Sequence, residues 1–148
     1  MKAAFLLGRL IFGGFFLYNG IHHLRERKML SQYAASRNVP LAEIAVTATG
    51  AMLLAGGASI LLGIKPKLGA LAIIGFLVGV SPTMHDFWNL QDPGQRMNEM
   101  VNFSKNMALL GGAVALLGVE EPWPASLASG KTEAPERVRR FAREQLAA

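Results

Sequence analysis

A chain of 148 residues is about one domain long; 51% of its residues are hydrophobic and only 17% are charged. A soluble domain carries roughly 25% charged residues, and the apolar residues here fall in long runs, which excludes an ordinary soluble fold and leaves a membrane protein. The net charge of +5 comes with no nucleic-acid module and no phosphate-binding glycine loop, and the absence of cysteine excludes a thiol–disulfide relay or a thiolate-held metal or iron–sulfur centre within the chain.

About 20 mostly apolar residues cross a bilayer core as a helix, and four runs qualify. The first span covers residues 3–21, "AAFLLGRLIFGGFFLYNGI". Its apolar run is too long for a signal peptide, and no small-residue cleavage site precedes "HHLRERK". Arg9 lies ~20 Å from His22 along this helix, in the opposite leaflet. Glu120, Glu121 or a lipid phosphate is its expected partner.

In the linker that follows, Met29, Leu30 and Tyr33 share one face of a short surface helix. Pro40 suits the first turn of the second span, residues 44–64. Lys65-Pro66-Lys67 is a turn into the third span, residues 68–84, which is short. In "QDPGQR", Asp92 reads as an N-cap and Pro93 as the first helical residue. That helix starts in the interface and enters lipid near Met100 as the fourth span, residues 100–119.

Residues 1–120 therefore form the membrane domain. Residues 121–148 read as a linker and a tail, either solvated or lying on an anionic membrane surface through the basic amphipathic stretch "ERVRRFAREQL". An even span count puts both termini on one side. The lysines and tail arginines on that side suggest the cytoplasmic face of a bacterial inner membrane.

Two stretches repeat. "MLLAGGASILLGI" from Met52 aligns with "MALLGGAVALLGV" from Met107, and the spans before them share glycine, leucine and phenylalanine in register. The fold class expected is all-α: an integral membrane four-helix bundle made of two repeated helical hairpins. A parallel repeat puts His22, His23 and His85 on the same side of the membrane.

The polar residues at membrane depth are the anomaly. Glu99, Asn102, Lys105 and Asn106 lie along one helical stripe. Lipid satisfies neither an amide nor an ammonium, so the stripe is expected to face the bundle. Asparagines there serve either as glue between helices or as the lining of a polar pocket, since intramembrane ionisable groups mark functional sites. Convergence favours the pocket. Tyr18, His22 and His23 close the first span, Glu43 and Thr47 open the second, and His85 and Asp86 close the third, all on one side. Thr47 corresponds to Asn102 in the repeat. His85, Asp86 and Glu99 are the proton-transfer candidates, because imidazole and carboxylate titrate near enough to neutrality. Tyr18, His22, Glu43, Thr47, Asn102, Lys105 and Asn106 are the ligand-binding candidates. No metal is assigned, since the Glu-x-x-His spacing of di-iron bundles is absent.

With "GRLIFGGFFLYNGIHHL", "AGGASILLGIKPKLGA", "FLVGVSPTMHDFW" and "NFSKNMALLGGAVALLG" in order, residues 5–119 resemble the DoxX family of small four-span bacterial membrane proteins. The resemblance implies a membrane-embedded four-helix fold. A related group, DoxD, is associated with thiosulfate:quinone oxidoreductases of archaea, and other relatives are linked to quinone or catechol stress and to oxidative-stress complexes. It thus implies a redox-associated subunit that binds a quinone-like lipophilic molecule, with no cofactor of its own. The lipid bilayer, a soluble or membrane redox partner and a second copy of the chain are the expected partners, and nucleic acid is not. The alternative is a non-catalytic membrane scaffold or small-molecule-binding protein.

Overall fold

The four apolar runs form four helices long enough to cross a bilayer in the computed structural model, which describes residues 2–127. They are α1 (Lys2–Arg25), α3 (Ala42–Leu62), α4 (Pro66–Met84) and α5 (Pro93–Leu117). A short helix, α2 (Arg27–Ser36), separates α1 from α3, and a 3-10 turn (Phe87–Asn89) separates α4 from α5. No strand occurs among the described residues, so the fold is an all-α bundle. Large apolar side chains such as Leu10, Ile11, Leu71 and Val114 point outward and are exposed. Four such helices with apolar outer faces are those of a multi-pass membrane protein, whose outer surface is solvated by lipid.

The helix ends follow local chemistry. Asp92 Oδ1 accepts from the Gln95 N–H at 2.7 Å, and Pro93 opens the helix, as expected of that turn. At α3 the sequence expectation fails by two residues. Leu41 adopts a left-handed conformation (φ 50°) and the helix begins at Ala42, so Pro40 precedes the helix instead of opening it. α5 starts well before the expected lipid boundary. Its 25 residues span ~37 Å, more than the ~30 Å bilayer core, and its first turns project beyond it.

Packing runs α1 on α3, α3 on α4 and α4 on α5, with α2 laid against α3. Glycines make these contacts close. A Cβ on Gly57 would fall 2.4 Å from Leu17 N, so α1 and α3 touch backbone to backbone. At Gly56 and Gly69 a Cβ on either would lie within 3.0 Å of the other's carbonyl oxygen, which pins α3 to α4 near the turn joining them. Phe16, Leu53, Ile60, Ile73 and Leu77 fill the interior between these seams.

The segment after α5 departs from the linker expected there. It turns back into the bundle, and Trp123 is 1% exposed within the core, edge-on to Phe5 at 5.3 Å. Leu127 N–H donates to Leu62 O at 3.0 Å, and Ser126 Oγ donates to Gly63 O at 2.6 Å. Arg9 finds its partners here, and they are carbonyls. Nη1 donates to Pro124 O at 2.7 Å and Nη2 to Ala125 O at 3.1 Å. Trp123 and Ser126 are thus buried against the end of the bundle. The basic amphipathic stretch of the tail lies outside the described residues.

Candidate functional site

The polar residues gather at the other end of the bundle, where α4 ends and α5 begins. Arg37, directly after α2, is the hub. Its Nη1 donates to Asp86 Oδ1 at 2.9 Å, and its Nη2 donates to Glu99 Oε1 at 3.1 Å and to the Tyr33 hydroxyl at 3.2 Å. The second oxygen of Glu99, Oε2, lies 2.6 Å from His85 Nδ1. Asn89 Nδ2 donates to Asp86 Oδ2 at 3.1 Å.

Local structure explains the convergence. Asn38, left-handed at φ 58°, reverses the chain after α2, and Val39 N–H closes back on Ala34 O at 3.1 Å. This turn brings Arg37 against α4 and α5. His85 caps α4, its N–H donating to Ser81 O at 3.1 Å. Phe87 and Trp88 then pack on Phe103 at 5.6 and 5.7 Å, which holds the 3-10 turn on α5. Phe103 is one turn from Glu99 on the same face, so that contact also aligns Asp86 and His85 with Glu99.

Glu99 is 8% exposed. A carboxylate so buried is stable only when paired and hydrogen-bonded, and here both oxygens are engaged. The Tyr33 hydroxyl holds the Arg37 guanidinium above its usual range; the charges of Glu99 and Asp86 act in the same direction, against partial burial. Arg37 therefore remains a cation at any accessible pH.

Deeper along α5, ~10 Å from Glu99 at 1.5 Å per residue, stands Asn106. It is 7% exposed, and its side-chain amide makes no hydrogen bond among the described residues. It lines a cavity of about 240 Å3 between α1, α4 and α5, together with His85, Lys105, Asn19 and His23. Asn19 Nδ2 donates to Phe15 O at 2.7 Å, and His23 Nδ1 meets Asn19 O at 3.1 Å, which fixes both side chains against the wall. Phe15, Tyr33 and Lys105 are exposed and form the mouth. The arrangement offers an amide, an ammonium and an imidazole to a small acceptor-bearing molecule, with the imidazole already bonded to a carboxylate.

The expected site residues divide. His85, Asp86 and Glu99 meet in one cluster, and His85, Lys105 and Asn106 share one cavity. The others do not join them. Tyr18 is 68% exposed and stacks on His22, also exposed, on the outer face of α1. Glu43 faces outward to Arg27 at 3.5 Å, and Thr47 Oγ1 donates to Glu43 O within its own helix. Asn102 Oδ1 accepts from Lys105 Nζ at 3.1 Å on the exposed side of α5. The helical stripe expected to face the bundle as a unit straddles its edge: Glu99 and Asn106 point in, Lys105 out. Sequence reasoning missed Arg37 and Asn19. Among the described residues no group of three histidine or acidic side chains is placed to hold a metal ion.

A protein-family model, DoxX, matches residues 4–86. The match takes in α1 to α4 and ends at Asp86, so the "NFSKN" stretch of α5 lies beyond it. No curated protein and no solved structure matches the chain.

Proposed function

The chain belongs to the DoxX family, and from that premise we propose that it is a redox-associated membrane subunit that binds a quinone-like molecule in the cavity between α1, α4 and α5. A ring carbonyl accepts a hydrogen bond from Asn106 Nδ2, and the Lys105 ammonium at the mouth serves the ring's other oxygen. Reduction of a quinone to a quinol takes up two electrons and two protons. His85 on the cavity wall relays the protons, with Glu99 behind it at 2.6 Å as its partner. A partner redox protein delivers the electrons, since a chain without cysteine has no thiolate to hold a metal–sulfur centre of its own.

The observation that carries this reading is Asn106. The Asn106 amide opens onto the cavity without a protein partner, so a ligand that accepts from it gains a hydrogen bond worth about 1 kcal/mol. The test is titration of a tailless benzoquinone into the purified protein in lipid nanodiscs. Asn106→Leu is expected to weaken binding about tenfold, and His85→Ala to slow quinol formation when a donor is supplied. Wild-type protein that binds no benzoquinone, or Asn106→Leu that binds it equally well, overturns the reading.

A scaffold role has its own support. The Arg37 cluster is closed on itself, with every charge paired, as a purely structural lock would be. That role predicts that substitutions there change stability and leave ligand binding unaffected.

A further inference from the structure

Next to the polar cavity lies a second, open-sided one of about 220 Å3, bordered mainly by α2, α3 and α4. Its origin is in the glycine seam. α3 and α4 touch at Gly56 and Gly69, and a Cβ on Gly75 would still lie 3.3 Å from Met52 Cε; beyond that contact Val46 and Thr49 face Gly79 and Thr83 across a gap. A Cβ on Gly79 would meet nothing within 4 Å. Most polar atoms in this wall are already used: the Tyr33 hydroxyl accepts from Arg37 at 3.2 Å and His23 Nδ1 meets Asn19 O at 3.1 Å. Thr49 Oγ1 donates to Ala45 O at 2.8 Å and Thr83 Oγ1 to Gly79 O at 2.8 Å. Most of the wall is apolar, so an apolar chain suits it better than a polar head group.

The two cavities are not separate rooms. His23, Leu30, Tyr33, Phe76, Val80 and Met84 line both. The divider is a ring pair, His23 edge-on to Phe76 at 6.0 Å. On one side stand the Asn106 amide and the His85 imidazole, and on the other a mostly apolar slot.

Resting on the quinone reading above, we infer that the natural ligand carries an apolar chain, and that this chain passes the His23–Phe76 pair into the slot between α3 and α4 while its ring stays beside Asn106. The ligand class is thus a long-tailed isoprenoid or alkyl quinone, bound across the bundle and not merely at its edge. In a bilayer the tail leaves one apolar medium for another, so its contribution comes from packing contacts and not from release of water. Chain length alone is therefore a weak readout, and obstruction of the slot is a strong one.

The experiment compares a tailless and a decyl-substituted benzoquinone on the full chain in nanodiscs. Gly79→Phe places a ring in the slot. It is expected to weaken decyl-quinone binding about tenfold, the size of an overpacking penalty, while tailless binding stays within about twofold. Equal binding of the decyl compound by wild type and Gly79→Phe overturns the inference and leaves the ring site standing. Loss of both compounds in wild type overturns the ring site itself. A decyl-quinone with a diazirine at the chain end gives a readout free of any substitution. Labelling of Val46, Thr49 or Met52 that excess decyl-quinone suppresses supports the slot. Labelling confined to the outer faces of α1 and α5, or labelling of the slot that excess quinone leaves unchanged, as a bulk acyl chain there would give, overturns it.

Discussion

His85 Nδ1 lies 2.6 Å from Glu99 Oε2 while Arg37 Nη2 holds the other oxygen of the same carboxylate at 3.1 Å. Glu99 is gripped from both sides, so its orientation is set by two segments distant in the chain. A change of charge on His85 is felt directly by the carboxylate and, through it, by Arg37.

Removing Arg37 leaves Glu99 and Asp86 as neighbouring carboxylates with no cation between them. Arg37→Met is expected to destabilise the protein by about 2–4 kcal/mol, somewhat below the ~3–5 kcal/mol for breaking a fully buried pair from one side, because the side chains of Arg37 and Asp86 are 21% and 27% exposed. Thermal unfolding in detergent measures it. Adding Glu99→Gln to Arg37→Met should recover part of the loss, because the buried charge is then gone. A melting temperature equal to wild type in the single variant would mean that solvent already screens the cluster.

Asn106 makes the opposite forecast. An interhelical glue residue costs stability when removed, whereas an unpartnered buried amide does not. Asn106→Leu is expected to leave stability within about 0.5 kcal/mol of wild type or to raise it. A drop of about 2 kcal/mol in the same unfolding experiment would assign Asn106 to helix packing.

Gly57→Ala tests the α1–α3 seam. The added Cβ meets Leu17 N at 2.4 Å and Gly13 O at 2.9 Å, and both are backbone atoms that no rotamer change moves. The helices must separate, at a cost of about 2–3 kcal/mol. Gly14→Ala, where a Cβ meets nothing within 4 Å, is the matched control and should be neutral.

Trp123→Ala empties the far end of the core. It is expected to cost about 3–5 kcal/mol. Gly63→Ala attacks the same region from the other side. Gly63 sits at φ 67°, and a Cβ there would lie 2.9 Å from both Ser126 Cβ and Oγ. The strain and the clash together should lower stability by about 2 kcal/mol. If residues 120–127 were only a linker, neither change would shift the melting temperature.

The helices were legible because long apolar runs and capping residues are local signals. Asp92 and Pro93 lie within one short stretch, and their roles need no tertiary contact. The site was legible only in part. His85, Asp86 and Glu99 flank one turn, so sequence proximity brought them to notice. Arg37 gave no such sign. It sits among other charges in a hydrophilic linker, and its role depends on α2 folding against α3. Tyr18, His22, Glu43 and Thr47 lie at the expected end of the bundle but on outward faces. Depth can be read from residue number, whereas the direction a face points depends on which neighbour packs there. Trp123 was hidden by its setting: prolines on both sides make "PWP" read as linker. Arg9 carried the missing clue, since a guanidinium at membrane depth requires acceptors nearby, and the stretch returning after α5 supplies them.

The divergence of α3 from α4 gives the molecule two unlike halves. Where glycine carbonyls lie against glycine carbons there is no free volume to lose, and compression or warming alters little. Where the helices stand apart, voids shrink under hydrostatic pressure and backbone amides exchange with solvent soonest. A guest molecule, a pressure jump and a rise in temperature are therefore expected to act first on the gap between α3 and α4, while α1 stays clamped on α3 along its length at Gly13, Gly57 and Gly20.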